Sequence, residues 1–385
     1  MNINAPLREG TIKMRILIFS SLRRKAGKNL FGGAEKSIVK MANWMACVHG
    51  VEVILASTKG CMDGYFVSPA VTFYEYKINE SNKIFVHWKM YHEVQKTIQL
   101  YHPDVFLSFW VHPLFFASLS PSNHHLTLIY SGRNDPNSRI YSKICRIIRW
   151  FVVRRADGIV FQTREAMDFF DESVQRKSVV IHNAVSQPPK DCIISKRDER
   201  IVSVGRLVPE KNHTMLIRAF NEIKSLFPEA SLEIYGEGPL HEQLQSMIEA
   251  MNLSARVRLM GEVSDIRRKI CGARLFVLPS LFEGMPNALM EAMSLGLTVL
   301  ASDCPCGGPS ELIQNGVNGF LFTNGNQREL EQYMKHILKC KDNCAIREEA
   351  RKICETHSED RIYRKWLNYI YMAGKSHEKL FTQKR

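Results

Sequence analysis

Along this 385-residue chain, two successive series of short apolar runs alternate with helix-forming stretches, a pattern that favours parallel α/β architecture. The first series gives expected strands at residues 16–19, 51–56, 105–109, 126–130, 158–161 and 178–181. Its opening order of strand, polar loop, Gly32-Gly33, helix over 36–47 and strand is one parallel nucleotide-fold unit. The second series gives strands at 201–204, 231–235, 257–259, 275–278, 298–301 and 320–322, with helices over 214–226, 241–251 and 288–295. Residues 185–196, which hold Pro188-Pro189 and no periodicity, read as a linker. The chain is too long for the usual single core. We therefore expect an α/β fold with a first domain over 14–185, a second over 186–361 and a final helix over 362–385. Residues 1–13 lack periodicity and are expected to be a loose extension, or to precede an alternative start at Met14.

Charge and cysteine usage narrow the function classes. The net charge of +13 is uneven: up to Ser186 the chain holds 24 Lys and Arg against 14 Asp and Glu, and beyond it 28 against 25. A basic first half fits an anionic lipid surface or a phosphorylated acceptor. Nucleic acid is not expected as a partner, because neither a recognised binding module nor basic residues interleaved with aromatics is present. Ten cysteines without a secretory signal lead us to expect a cytoplasmic chain, in reach of the inner face of a membrane. Cys304-x-Cys306 and Cys340-x3-Cys344 lack companion histidines at zinc-ligand spacing, so no metal site is expected. No apolar stretch approaches the ~20 residues that span a bilayer.

The chemistry concentrates after the apolar run 275–279. Glu283-Gly284-Met285-Pro286-Asn287-Ala288-Leu289-Met290-Glu291 turns from a strand into a helix, with Glu291 two turns in. Free N–H groups at such a helix start hold phosphate oxygens, and a carboxylate on the helix accepts hydrogen bonds from a ribose diol. Sugar nucleotides supply both groups. The bland alternative is a pair of exposed helix-end acids. Upstream, Gly205 follows a strand, and Arg206 and Lys211 lie five apart across a short loop. Together they complement a diphosphate without a metal, unless both are plain surface cations. Gly284 lets backbone approach a sugar, whereas Met285 and Pro286 serve packing or capping equally well.

These segments resemble the retaining family 4 glycosyltransferases. The resemblance rests on Glu283-x7-Glu291, on Gly205-Arg206-Leu207 with Glu210-Lys211-Asn212, on Ile234-Tyr235-Gly236-Glu237-Gly238-Pro239 and on Gly316-Val317-Asn318-Gly319-Phe320-Leu321. It is dense over 201–322 and thinner before. It implies the GT-B architecture, two Rossmann-like domains facing across a cleft, with the last helix returning to the first domain. It implies that Arg206 and Lys211 bind the donor's diphosphate, that Glu291 binds the ribose, and that Glu283 lies close to the donor sugar. Donor contacts are also expected from Gly205, Gly236, Gly33 and the turn and helix start from Gly284 to Leu289. Many members carry a His after the strand that here precedes Arg133, so we expect a cationic contact with phosphate or acceptor at that position. Gly32, His112 and Asn183 are further candidates for acceptor or sugar contact. As a bare pattern, a glycine pair or a lone His is as often structural.

The implied reaction is retaining, metal-independent transfer of a hexose or N-acetylhexosamine from a nucleoside-diphosphate sugar, UDP-linked by expectation. The expected acceptor is a glycan carried on lipid diphosphate, as in bacterial surface-polysaccharide assembly. A non-catalytic sugar-nucleotide-binding partner and a sugar-nucleotide epimerase of the same fold are the rivals. Finally, from Ile140 to Arg155, Lys143, Arg146 and Arg149 recur every three residues while Ile144, Ile147, Ile148, Phe151 and Val152 collect on another face. A helix so patterned either packs its apolar face into the core or lies on anionic membrane.

Overall fold

The computed structural model describes residues 14–20, 33–58, 66–76, 83–121, 125–133, 136, 143–192, 197–340 and 343–382. They form two compact units: Met1–Ala184 with Glu359–Arg385, and Val185–Ser358. In the first, β1 (Met14–Phe19), β2 (Val51–Thr58), β3 (Val71–Tyr76), β4 (Val105–Ser108), β5 (Thr127–Gly132), β6 (Gly158–Phe161) and β7 (Ser178–Val180) make a parallel sheet in the order β3-β2-β1-β4-β5-β6-β7. In the second, β8 (Arg200–Val204), β9 (Ser231–Tyr235), β10 (Val257–Gly261), β11 (Leu275–Leu278), β12 (Thr298–Asp303) and β13 (Phe320–Thr323) follow the order β10-β9-β8-β11-β12-β13. Every strand pairing within these sheets is parallel. Each unit is thus an α/β layer structure of Rossmann type, as the alternating pattern predicts.

Parallel sheets bury both faces, which is why their central strands are near-continuous apolar runs. Ile16, Leu17, Ile18 and Phe19 of β1, and Leu275, Phe276 and Val277 of β11, are wholly buried. The edge strand β3, Val-Thr-Phe-Tyr-Glu-Tyr, mixes exposed and buried positions and lacks such a run, so the sequence reading passed over it. In both sheets the order reverses beside the first strand of the unit, between β1 and β4 and between β8 and β11. Such switch points open a crevice at the carboxyl ends of the strands, where ligands bind in doubly wound sheets.

The helices of the first unit include α1 (Gly33–Ala46), α2 (Lys83–Tyr101), α3 (Val111–Ser118) and α4 (Lys143–Arg155). Helix Glu359–Thr382 also belongs to this unit. Its Ile362, Tyr363, Trp366, Leu367 and Ile370 share a core with Met41, Ala42 and Met45 of α1 and with Ile16, Ile18, Val53 and Ile129 of the sheet. Lys40 Nζ meets Glu359 Oε1 at 2.9 Å, and the Tyr369 hydroxyl accepts from Ile159 N at 2.7 Å. In the second unit the chain enters and leaves at one place, where Val185 N donates to His357 O at 2.8 Å.

Trp366 is 3% exposed and its ring lies 6.0 Å from that of Phe109. Trp366→Ala should therefore cost about 3–5 kcal/mol through the cavity it leaves. Urea unfolding followed separately in the two units should show the first unit's midpoint falling and nucleotide binding by the second unchanged; equal loss in both would contradict this division of the core.

Candidate functional site

The switch point of the second unit is built from the loops after β8 and β11. Beyond β8, Gly205 N donates to Tyr235 O at 2.9 Å and Leu207 N to Glu237 O at 3.0 Å. These bonds hold the loops after β8 and β9 together. Gly236 makes the approach feasible: it sits at φ +134°, and a Cβ there would lie 2.1 Å from Gly205 O. The chain then forms a short 3-10 turn, Pro209–Lys211, and passes through Asn212 at φ +50° into helix His213–Ile223. Lys211 folds its stem back over Gly205, where a Cβ would come within 3.3 Å of Lys211 Cδ.

Lys211 Nζ ends in an ion pair with Glu283 Oε1 of the loop after β11. Ser280 Oγ donates to the same carboxylate oxygen at 2.7 Å, and Leu281 N donates to Glu210 O at 2.8 Å. Only 22% and 11% of the Lys211 and Glu283 side chains are exposed, so this is a largely desolvated pair. Lys211 and Glu283, which the sequence alone assigns separate tasks, are thus joined by the fold. Arg206, by contrast, is exposed.

The Glu283 loop is fixed from its other side by the turn after β12. Glu283 N donates to Pro305 O at 2.7 Å and Cys306 N to Glu283 O at 3.1 Å. Gly308 closes this contact, since a Cβ there would stand 1.6 Å from Gly284 O. Cys304 is buried beside it, and burial together with the Glu283 charge pushes its thiol pKa well up. It is a neutral packing group. The cysteines of the described residues are free thiols, and no group of three or more His, Cys, Asp or Glu there could hold a metal.

From this loop helix Asn287–Ser294 departs, with Pro286 at its N-cap and no side-chain capping bond. Leu289, Met290, Ala292 and Met293 face the core, leaving Asn287, Ala288 and Glu291 on the half-buried stripe at i, i+1 and i+4. Met285 and Leu289 are core residues, 6% and 0% exposed, so their side chains are not ligand groups; the main chain alone is on offer there. One residue escaped the sequence reading. His213, directly after the Glu-Lys-Asn segment, is 3% exposed, and neither ring nitrogen has a hydrogen-bond partner. Burial, helped by the nearby Lys211 charge, depresses its pKa to about 4, a shift that the Gly205 and Arg206 backbone opposes only weakly.

The remaining candidates belong to the first unit. Gly33 is the first residue of α1, beyond β1, and Gly32 lies outside the described residues. Arg133 follows β5. Its guanidinium stacks 4.5 Å from the Phe109 ring centroid and 5.9 Å from that of Trp366, while Nη1 donates to Asn183 Oδ1 at 2.7 Å. Gln162, in the amide orientation that satisfies both its polar atoms, donates to Arg133 O and accepts from Arg133 Nη1, each at 3.1 Å. Burial lowers the Arg133 pKa to about 10, still cationic at neutral pH. Thus Arg133 and Asn183 are brought together. His112 stands apart from them, on α3, its ring 4.7 Å from His87 and Nε2 3.9 Å from Cys145 Sγ; burial, and then His87, lower its pKa.

With this geometry in place the likeness to known proteins has meaning. Residues 189–354 match the family model described as glycosyl transferases group 1. The second unit is a group 1 glycosyltransferase domain. The chain is 27% identical over 265 residues to an uncharacterised glycosyltransferase of Methanocaldococcus jannaschii, covering 61% of this chain and 65% of that protein. It is 31% identical over 178 residues to a Campylobacter jejuni protein named N-acetylgalactosamine-N,N'-diacetylbacillosaminyl-diphospho-undecaprenol 4-alpha-N-acetylgalactosaminyltransferase, covering 46% of this chain and 48% of that one. The chain therefore spans about half to two thirds of the length of these two relatives. Among solved structures, Anabaena HepE in complex with UDP and glucose superimposes with a TM-score of 0.70 at 17% identity, over 96% of this chain and 100% of that one. That likeness is one of fold, and it extends over both units.

The buried neutral His213 makes the domain acid-sensitive. Below an unfolded pKa near 6.5 the unfolded chain binds a proton that the folded chain refuses until about pH 4. Stability from this group is thus full above about pH 6.5 and lost as pH falls, by up to about 1.4 kcal/mol per pH unit. Urea titrations at several pH values should show a shallower acid decline for His213→Gln than for the wild type, and identical slopes would reject the assignment.

Proposed function

We propose that the protein is a retaining glycosyltransferase that moves a hexose or N-acetylhexosamine from a UDP-sugar to a hydroxyl of a glycan carried on lipid diphosphate. The observation that carries this reading is the switch point itself. There the Lys211–Glu283 pair and the exposed Arg206 adjoin the loop that feeds an uncapped helix start, and Glu291 shares that helix's off-core stripe with Asn287. Positive charge and a helix N-terminus suit a diphosphate, and a carboxylate one turn further suits a ribose diol. The UDP in the Anabaena structure and the diphospho-undecaprenol in the Campylobacter relative's name support the donor and acceptor classes.

In the reaction the bond between the sugar's anomeric carbon and the diphosphate oxygen breaks. A bond from the acceptor oxygen forms on the same face, and the acceptor's proton passes to the departing diphosphate oxygen. Arg206, Lys211 and the helix N-terminus stabilise the charge that develops on the leaving group. Glu283 holds Lys211 in place and keeps its charge compensated. No divalent metal is needed for these steps. The acceptor would be met at the inner face of a membrane by a cytoplasmic, peripheral enzyme, with the basic first unit and α4 towards the lipid. No described helix is long and apolar enough to cross a membrane.

Incubating the purified chain with labelled UDP-sugars, with and without bacterial lipid extract, tests this reading. Label should move to the lipid fraction only when extract is present. An altered nucleotide sugar without acceptor would instead make the protein an epimerase, and binding without turnover a non-catalytic partner. Glu291→Ala should weaken UDP binding by about 1.5–3 kcal/mol, roughly ten- to hundred-fold, because charge-assisted bonds to the ribose are lost. Calorimetric titration measures it, and unchanged affinity would reject the ribose assignment. Transfer should also persist in excess chelator; complete loss restored by Mg2+ would overturn the metal-free leaving-group arrangement.

A further inference from the structure

Helices α2, α3 and α4 lie side by side in the first unit. Gln95 Nε2 of α2 donates to Phe116 O of α3 at 2.8 Å, and Phe115 of α3 meets Phe151 of α4 with ring centroids 5.5 Å apart. The inward face of α4 cuts across both stripes read from the sequence. Val152 and Val153 are buried, and so is Arg149, whose Nη2 donates to Pro136 O at 2.7 Å and whose guanidinium stands over Phe169 and Phe170. Arg149 is therefore no surface cation. Of the apolar set read from the sequence, Val152 is buried, whereas Ile144 and Ile147 are each 68% exposed and Phe151 40%; Trp150, outside that set, is 57% exposed. On α2, Phe85 and Trp88 are also more than half exposed.

Exposed large apolar side chains grouped on one helix mark a surface meant to be covered. The charges around them say by what. Helix α4 carries no acidic residue, and Lys143, Arg146 and Arg155 are exposed beside the apolar stripe. Arg154 pairs with Asp171 at 2.8 Å and lies 4.1 Å from the Trp150 ring centroid. A second copy of this chain would set these cations against themselves. An anionic bilayer complements them and accepts the apolar side chains as well.

We propose that the outward face of α4 forms a docking surface for anionic membrane. Ile144, Ile147, Trp150 and Phe151 enter the boundary between headgroups and acyl chains, and Lys143, Arg146 and Arg155 lie among the lipid phosphates. This deepens the membrane-borne acceptor reading above and takes its purpose from it, although the binding itself requires no turnover. Attachment is then partly hydrophobic, and salt weakens it without abolishing it.

Flotation of the full chain with phosphatidylcholine vesicles, with and without phosphatidylglycerol, at low and high salt is the test. The wild type should float with the anionic vesicles and keep part of its binding at high salt. The variant Ile144→Ser/Ile147→Ser/Trp150→Ser should lose binding at both salts, by at least about ten-fold. Lys143→Ser/Arg146→Ser should lose only the preference for anionic lipid. Unchanged melting temperature and UDP affinity in both variants separate loss of docking from loss of fold. No flotation of the wild type, or undiminished flotation of the apolar variant, would overturn the proposal. So would light scattering that shows a wild-type dimer, made monomeric by the apolar variant, without vesicle binding. If flotation holds but no acceptor is ever glycosylated, the functional reading fails and the docking surface stands.

Discussion

The ion pair between Lys211 and Glu283 joins two loops that are 72 residues apart in the chain, and the arrangement of the second unit converges on it. A lysine this enclosed carries a large desolvation cost unless its charge is met, and a carboxylate fixed by Ser280 and by the turn after β12 meets it. The parallel sheet makes the meeting feasible. With every strand running the same way, all carboxyl-end loops emerge at one edge, and the reversal of strand order between β8 and β11 leaves these two side by side. Glycines at 236 and 308 then allow loop backbones to pack at distances that no side chain would permit.

This arrangement has a consequence for the proposed chemistry. Lys211 is not held as a bare charge awaiting a diphosphate; it stands positioned, its partner already beside it. A diphosphate arriving at the same place adds acceptors around a cation whose geometry is set beforehand, so little reorganisation is needed when the leaving group gains charge. The neutral His213 fits the same logic. A second full charge beneath Lys211 would raise the cost of the site, and burial keeps the imidazole unprotonated at neutral pH.

Legibility in the sequence followed the physics of burial. Strands such as β9 and β11 coincide with their expected bounds, because a strand buried on both faces must be an unbroken apolar run. β3 did not stand out, since an edge strand with a partly exposed face carries no such run. Glu283, Glu291, Arg206 and Lys211 stood out as residue types at a given spacing, but the contact between Lys211 and Glu283 is a product of sheet order, which no local pattern encodes. Helix α4 shows the same limit from another side. Periodicity establishes that its apolar residues share a face; whether that face meets core or solvent depends on neighbours. Here Arg149, written into the basic stripe, became the buried residue, and Ile144 and Ile147 became the exposed ones.

Arg133 is an enclosed cation of the first unit. Aromatic faces on Phe109 and Trp366 and amide oxygens on Asn183 and Gln162 hold its guanidinium; among the described residues no carboxylate binds it, and Nε is buried without a partner. π faces and amide dipoles offset part of the cost of enclosing a cation without neutralising it. A residue with a pKa of about 10 remains charged at neutral pH, so a positive charge stands just beyond β5 at the carboxyl edge of the first sheet. In the second unit the enclosed cation is matched by Glu283; in the first, no carboxylate among the described residues matches Arg133. Under the proposed reaction that difference assigns the units distinct electrostatic tasks: the second positions the donor's diphosphate, and the first supplies attraction for an anionic acceptor, in keeping with the basic excess of the chain up to Ser186.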